Sequence, residues 1–193
     1  MSHFKSQKIY SNAIKKYGTT VKALCWRDKD SQRIRFQQIA LQLPNKLQNA
    51  TLCDAGCGFG DFYSYLKEQK KEPALYVGID AHLQMCEIAR QKTKQKILHA
   101  NICSDTLPVH DYYVASGSLN LLSAFEAHMF IQKCFAHTKK LFIFNLLTNT
   151  DASPLYNTMT KEELLRLAKV LGVADVSFYE GYLDDDMTVC FYR

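Results

Sequence analysis

The chain has 193 residues, 47% of them hydrophobic and 22% charged, with a net charge of +5. This composition suits one compact domain with a substantial core, and we see no internal repeat or low-complexity segment. No apolar run is long enough to span a membrane and no secretory leader is recognisable, so we expect a cytoplasmic protein without membrane attachment. Its seven cysteines lack zinc-finger spacing, which favours buried thiols over a metal site or disulfides.

The first fifty residues contain two predicted helices. Residues 4–16 form the first, which ends at Gly18, and residues 31–43 form the second, which ends at Pro44. Residues 1–50 hold ten Lys or Arg and two Asp, a net charge of +8. Residues 51–193 hold fourteen basic and seventeen acidic residues, a net charge of −3, and the two parts sum to the stated +5.

The positive charge of this extension can serve one of two functions, or none. It can attract a polyanion such as RNA or an acidic small molecule, or its lysines can simply be solvated. No RNA-binding module is recognisable, and aromatic residues do not alternate with basic ones as on a stacking platform. The candidates for substrate contact are Lys22, Trp26, Arg33 and Arg35. Trp26, the only tryptophan, is expected to close over cofactor or substrate, or to anchor the core.

A glycine-rich loop follows a predicted strand at residues 51–55. Residues 56–60 read Gly-Cys-Gly-Phe-Gly, Asp54 lies two positions before them, and a helix is predicted from Asp61. Glycine lets a backbone turn tightly and approach a ligand closely. Dehydrogenases space these glycines G-x-G-x-x-G around a pyrophosphate, which Asp54 would face unfavourably. An acid here suits a ligand that carries an ammonium or hydroxyl groups.

Three further predicted strands end in polar or small residues. The strand at 74–80 ends at Asp80, where a carboxylate can bind both ribose hydroxyls of a nucleoside or cap the helix predicted over 82–92. Residues 96–103 contain a short strand with Asn101 near its end, an amide that is also common in turns. The strand within 111–120 ends near Ser116 and Gly117, whose small size permits close approach of a ligand.

The remaining residues complete an alternation of helices and strands. We predict a helix over 124–136, a buried strand over 140–147, and a helix that begins with a capping box at 160–163 and ends at Gly172. Strands at 176–179 and 188–192 form a final hairpin around Gly181 and the acidic turn 184–186. Alternating strands and helices predict a parallel sheet that is covered on both faces.

The run from Asp54 to Gly60 resembles the first motif of the class I S-adenosylmethionine (SAM) dependent methyltransferases. The resemblance implies SAM as cofactor and a single α/β domain over 1–193, in which a helical extension (1–50) precedes a SAM-binding core (51–193). The implied fold is Rossmann-like, with a seven-stranded, mainly parallel sheet, an antiparallel C-terminal hairpin and helices on both faces. Tyr17-Gly18, Trp26, Gln32, Arg35-Phe36 and Asp186-Met187-Thr188 are similar to a group of stand-alone bacterial methyltransferase-like proteins without a clear substrate.

The resemblance also assigns roles to residues of this chain. Asp80 takes the ribose position, Asn101 lies near the adenine amino group with Ile102 on the ring, and Ser116 and Gly117 line the methionine and methyl-donor side. The full set of implied cofactor-binding residues is Asp54, Gly56, Cys57, Gly58, Gly60, Asp80, Ala81, Asn101, Ile102, Ser116 and Gly117. No metal is implied.

The implied chemistry is direct displacement at the sulfonium methyl, which requires an aligned nucleophile and the exclusion of water. A general base is needed only for a poor nucleophile. The candidates for this role are His110, His128, His137, Tyr179 and Tyr182, and each is more often structural. The fourth strand lacks the Asn/Asp-Pro-Pro-aromatic motif of enzymes that methylate amino groups of nucleic acids, and the Pro-Cys nucleophile of cytosine methylation is also missing.

Several functions stay open from the sequence. The first is a methyltransferase that acts on a small molecule or an exposed group of a macromolecule. The second is an RNA methyltransferase that uses the basic N-terminal face, and the third is a SAM-binding protein without catalysis. A dehydrogenase that binds NAD is the remaining alternative.

Overall fold

The computed structural model describes residues 3–26, 28–148 and 156–193. Within these residues, seven strands form one sheet: β1 (Thr51–Ala55), β2 (Leu75–Asp80), β3 (Lys96–His99), β4 (His110–Ser116), β5 (Thr138–Leu147), β6 (Asp175–Tyr179) and β7 (Asp186–Tyr192). Their spatial order is β3-β2-β1-β4-β5-β7-β6. The pairs among β1 to β5 are parallel, and β7 is antiparallel to both β5 and β6. The predicted fold, including the antiparallel C-terminal hairpin, is confirmed.

In the described ranges, six α-helices lie before and between these strands. They are α1 (His3–Tyr17), α2 (Lys29–Gln42), α3 (Asp61–Glu68), α4 (Leu83–Thr93), α5 (Ala124–Ala136) and α6 (Lys161–Leu171), and a short 3-10 helix (Val21–Leu24) lies between α1 and α2. None of the helices in the described part of the chain is long and apolar enough to cross a membrane.

Local sequence signals set most of the helix ends. Thr160 and Glu163 form the predicted capping box of α6, and Gly172 ends that helix in the left-handed conformation at φ 68°. At the start of α4 the side chain of Leu83 is 51% exposed. The buried stripe of α4 begins two residues later, at Met85, and continues through Cys86, Ala89 and Thr93.

The core has a large cluster on each face of the sheet. On β4, Tyr113 and Ala115 belong to one cluster, and Tyr112 and Val114 belong to the other, as the alternation of side chains along a strand requires. The second cluster includes Phe36, Ile39 and Ala40 of α2, so the N-terminal extension packs directly on the sheet. Five of the seven cysteines are buried free thiols, Cys103 is partly buried and Cys25 is exposed.

Candidate cofactor and substrate site

One large cavity lies at the carboxyl ends of β1, β2 and β4. It holds about 1250 Å³ of empty space, including its open mouth, and the N-terminal segment covers it with Tyr10, Leu24 and Trp26. The sequence-predicted residues that line it are Asp54, Gly56, Cys57, Gly58, Asp80, Ala81, Asn101, Ile102, Ser116 and Gly117, together with Trp26 and Arg35. Most of the predicted residues therefore meet in one place.

The glycine loop lies against the end of β2. The backbone N–H groups of Gly56 and Cys57 both donate to the carbonyl oxygen of Ile79, at 2.7 and 3.0 Å. Gly56 and Gly58 have φ angles of +78° and +52°, which residues with a Cβ rarely adopt. A Cβ on Gly56 would overlap with the Ser118 hydroxyl and lie 2.7 Å from the Ser118 Cβ. Glycine is therefore required both by conformation and by space.

Asp80 joins this loop to the cavity. Its Oδ2 accepts a hydrogen bond from the Gly58 N–H at 2.9 Å, and its Oδ1 accepts one from the His82 N–H at 2.8 Å. Burial raises the pKa of this carboxyl, while the two backbone hydrogen bonds oppose that rise. The N-cap residue of α4 is His82 rather than Asp80. The carboxylate thus holds the loop and still faces the cavity with lone pairs that can accept ligand hydroxyls.

Asp54 is a second carboxylate of the cavity and is more deeply buried than Asp80. It is only 2% exposed, and its Oδ2 accepts a hydrogen bond of 2.6 Å from the Tyr76 hydroxyl. Burial raises its pKa to about 7, the Tyr76 hydrogen bond opposes the rise, and the charges of Asp80 and Asp61 add to it. A cationic ligand group next to Asp54 would favour the ionised carboxylate.

Asn101 proves to be both a turn residue and a lining residue. Its Oδ1 accepts a hydrogen bond from the Cys103 N–H at 2.9 Å, and its own N–H donates to Asp105 Oδ2 at 2.9 Å. The turn places the next residue, Ile102, in the buried wall of the cavity. The turn and ligand interpretations of Asn101 are therefore compatible.

The end of β4 forms the opposite wall. The Gly117 N–H donates to Asn145 Oδ1 at 3.2 Å, and a Cβ on Gly117 would come within 2.9 Å of the Trp26 ring. The hydroxyl of Ser116 and the Oδ1 of Asn120 are buried without a hydrogen-bond partner among the described residues. Both residues line the cavity, so these polar atoms are available to a ligand.

Trp26 and Arg35 are held in this wall by contacts within the protein. The Arg35 guanidinium lies 4.7 Å from the centre of the Trp26 ring, and Phe36 meets the same ring edge-on at 6.3 Å. Arg35 Nε donates to Asp186 Oδ1 at 2.6 Å, and its Nη2 donates to Asp186 Oδ2. Arg35 therefore lines the cavity with its charge already balanced by Asp186.

Three predicted site residues do not line the cavity. Gly60 is the N-cap of α3 at φ +76°, where a Cβ would overlap with the Thr93 methyl, so its small size serves the packing of α3 on α4. Lys22 has an exposed side chain on the 3-10 helix. Arg33 is also outside, because Glu68 accepts a hydrogen bond from it at 2.8 Å on the surface. The base candidates His110, His128, His137, Tyr179 and Tyr182 lie outside the cavity as well.

Several lining residues had no signal in the sequence. They are contributed by α1, α2, α3 and α4 and by the loops after β2, β4 and β5: Tyr10, Gln32, Asp61, His82, Met85, Asn120 and Tyr156. Gln32 alone belongs to a segment named by the resemblance, and its Nε2 lies 3.4 Å from Asp61 Oδ2. The others depend on how distant elements pack.

The fold and this cavity define a Rossmann-like methyltransferase architecture, and comparisons with known proteins agree. Residues 52–140 match the family model described as a methyltransferase domain. The structure superposes on magnesium protoporphyrin IX methyltransferase from Synechocystis with a TM-score of 0.69 at 15% identity, covering 83% of each chain. It superposes on a TehB-like SAM-dependent methyltransferase from Corynebacterium glutamicum with a TM-score of 0.68 at 14% identity, covering 95% of this chain and 97% of that one.

A curated relative is similar over a shorter stretch. A carboxy-S-adenosyl-L-methionine synthase from Campylobacter jejuni is 30% identical over 79 residues, which cover 38% of this chain and 33% of the relative. The chain thus matches about a third of that relative's length. The match over residues 52–140 is to a methyltransferase domain, and the fold is that of SAM-dependent methyltransferases, enzymes whose cofactor is SAM.

Proposed function

We propose that the protein transfers a methyl group from SAM to a small molecule that enters the covered cavity. The observation that carries this proposal is the convergence of the glycine loop, Asp80 and the end of β4 on one cavity. The carboxyl edge of a parallel sheet is where such folds bind ligands. The chemical groups in the cavity fit SAM, because buried carboxylates complement both its ribose hydroxyls and its cationic groups.

Each part of the cavity has a role in this proposal. Bound SAM supplies a methyl group on a positively charged sulfur. Asp80 would hold the ribose hydroxyls, Asn101 and Ile102 would contact the adenine end, and Asp54 would face the cationic methionine portion. Trp26, closing on Gly117, would exclude water from the methyl group, which prevents its loss to hydrolysis.

The cover over the cavity favours a small acceptor over RNA. Tyr10, Leu24 and Trp26 enclose the ligand space from the N-terminal side. Two of the basic residues proposed for substrate contact are already engaged, since Arg33 pairs with Glu68 and Arg35 pairs with Asp186. These two ion pairs therefore reduce the positive charge that the first fifty residues can offer to RNA. RNA methylation and SAM binding without catalysis stay as alternatives that experiment separates.

Binding is tested first, by titration calorimetry with SAM and with NAD. We expect SAM to bind and NAD not to bind, and the reverse result would point to a dehydrogenase. Asp80→Ala should weaken SAM binding by about 10- to 100-fold, because a hydrogen bond to a charged group contributes about 1.5–3 kcal/mol. Asp175→Ala, which removes an exposed carboxylate at the far edge of the sheet, is the matched control and should leave SAM affinity unchanged.

Transfer is tested next, with SAM that carries a labelled methyl group. The protein is incubated in a lysate of its source cells, which is then separated into nucleic acid, protein and small-molecule fractions. We expect the label in the small-molecule fraction. Label in RNA would favour the RNA alternative, and tight SAM binding with no label in any fraction would favour a non-catalytic role.

A further inference from the structure

Three buried polar atoms of lining residues have no partner among the described residues: His82 Nδ1 near the end of β2, and the Ser116 hydroxyl and Asn120 Oδ1 near the end of β4. Ser116 is the last residue of β4, Asn120 follows it by four positions, and both residues line the ligand space. A buried acceptor left without a hydrogen bond destabilises a protein, so such atoms usually meet a ligand or water. The Asn120 Oδ1 can only accept a hydrogen bond, so its partner must be a ligand group with an N–H or O–H.

The backbone fixes the place of Asn120 in the cavity. Its N–H donates to the Gly117 carbonyl oxygen at 3.4 Å, and its own carbonyl oxygen accepts a hydrogen bond from the Asn157 N–H at 2.8 Å. The backbone of Asn120 is therefore bonded to Gly117, which lies close to Trp26, and to Asn157, the residue after the lining residue Tyr156. Asn120 thus belongs to the part of the cavity that follows β4.

The charges around the cavity disfavour an acidic acceptor. Asp54, Asp61 and Asp80 all line it. Among the described lining residues, Arg35 is the single Lys or Arg side chain, and Asp186 holds its guanidinium at two points. A carboxylate, phosphate or thiolate would find no free cation here, and none of these anions has a hydrogen for Asn120 Oδ1.

The β4 end of the described lining offers no free base for an alcohol, because His82, whose Nδ1 has no partner, follows β2, and β1 lies between β2 and β4. Asp61 accepts a hydrogen bond from Gln32 at 3.4 Å and pairs with Lys92. The Oδ2 of Asp54 is bound to Tyr76, and His82 Nε2 shares a hydrogen bond of 2.9 Å with Ser11. An alcohol is a poor nucleophile until a base removes its proton, whereas an uncharged amine attacks through its own lone pair.

We propose that the methyl acceptor is a small molecule with an uncharged amine nitrogen, and that Asn120 positions this nitrogen by accepting a hydrogen bond from its N–H. This inference rests on the proposed methyltransferase function and narrows its substrate class. In the reaction, the amine lone pair forms the bond to the methyl carbon while the carbon–sulfur bond breaks and its electron pair remains on sulfur. The positive charge moves from the sulfonium to the methylated ammonium, which then releases one proton to water.

The experiment uses methyl-labelled SAM and a deproteinised small-molecule extract of the source cells, with total RNA of the same cells in a parallel reaction. The labelled product is separated by cation exchange, treated with mild alkali and analysed by tandem mass spectrometry. We expect a base-stable product that is retained on the cation exchanger and whose fragments place the methyl group on nitrogen.

Two variants test the role of Asn120. Asn120→Ala removes the acceptor atom and should lower the rate of amine methylation by about 10- to 100-fold at unchanged SAM affinity. Asn120→Asp keeps an oxygen at that place and should retain most of the rate. SAM affinity by calorimetry shows that each variant has a formed cavity, and the Asp variant remains informative if the Ala variant fails to fold.

The outcomes separate this inference from the function on which it rests. Label in an ester, an ether, a thioether or RNA leaves methyl transfer established and overturns the amine assignment. An N-methyl product formed equally fast by Asn120→Ala overturns the positioning role. SAM binding with no label in either reaction overturns the proposed function itself, and the amine assignment with it.

Discussion

Arg35 of α2 and Asp186 of β7, 151 residues apart in the chain, form a nearly buried ion pair. The Arg35 side chain is 11% exposed and the Asp186 side chain 3% exposed, and two hydrogen bonds join them. The Asn145 side chain also donates to the Arg35 carbonyl oxygen at 3.3 Å. This pair ties the N-terminal extension to the last strand and places Trp26 at the cavity.

Asp186→Ala should therefore destabilise the fold strongly, because it leaves a buried guanidinium without its partner. Removal of one member of a buried pair costs about 3–5 kcal/mol. Glu68→Ala breaks the corresponding pair of Arg33, whose two side chains are 50% and 58% exposed, and should cost about 0–1 kcal/mol. Urea unfolding measures both free energies. Equal costs for the two variants would show that the buried pair does not hold the extension.

Gly56→Ala should abolish tight SAM binding. The new methyl group would overlap with Ser118, whose hydroxyl is held by the Ala55 carbonyl oxygen at 2.9 Å, so the loop must move away from its ligand position. Gly181→Ala is the matched control, since Gly181 has φ +80° but nothing within 4 Å of the added Cβ. Both substitutions should cost about 1–2 kcal/mol of stability from backbone strain.

Calorimetric titration with SAM separates the two effects. We expect at least a tenfold loss of affinity for Gly56→Ala, about 1.4 kcal/mol or more of binding free energy, and none for Gly181→Ala. A Gly56→Ala protein that binds SAM normally would show that the Ser118 side chain gives way and that the loop does not depend on a glycine there.

The affinity for SAM should rise with pH and level off above neutrality. Burial raises the pKa of Asp54 to about 7, and a cationic ligand group binds the ionised carboxylate better than the neutral acid. Affinity should consequently fall as the pH decreases below about 7. Tyr76→Phe removes a hydrogen bond that stabilises the ionised form, so it should move the midpoint to higher pH. Asp54→Asn should flatten the profile, and a steep profile in that variant would assign the titration to another group.

The raised pKa of Asp54 has the opposite effect on the stability of the ligand-free protein, which should fall as the pH rises. The pKa of Asp54 is higher in the folded protein than its ordinary value of 3.8, so the folded state favours the protonated acid. Its stabilising contribution is complete below about pH 4 and is lost as the pH rises through about 7. Urea unfolding between about pH 4 and pH 7 measures the free energy of unfolding of the wild type and of Asp54→Asn. This free energy should fall more steeply with rising pH in the wild type, and the difference comes from this carboxyl group.

Local sequence patterns predicted the cofactor side of the cavity, because its geometry is local. The glycine spacing, Asp54 and Asp80 each follow from one strand and its turn, and parallel strands necessarily bring their carboxyl ends to one edge. The role of Arg35 was harder to predict, since a basic residue in a basic segment is expected to be solvated or to bind the substrate. Its partner Asp186 lies at the other end of the chain, in a stretch that reads as a turn. Tyr10 and Asn120 likewise carry no motif, and only the packing of distant segments places them in the cavity.

Trp26 provides a direct measure of binding, because it is the only tryptophan and lines the cavity against Gly117. SAM should exclude water from one side of the ring, so the emission of Trp26 should shift to shorter wavelength on titration. The apparent dissociation constant should equal the calorimetric value, and Asp80→Ala should move both by the same factor. Asp175→Ala should move neither. Calorimetric binding of SAM without any change in emission would place the cofactor away from Trp26 and would refute the closing role that we assign to this side chain.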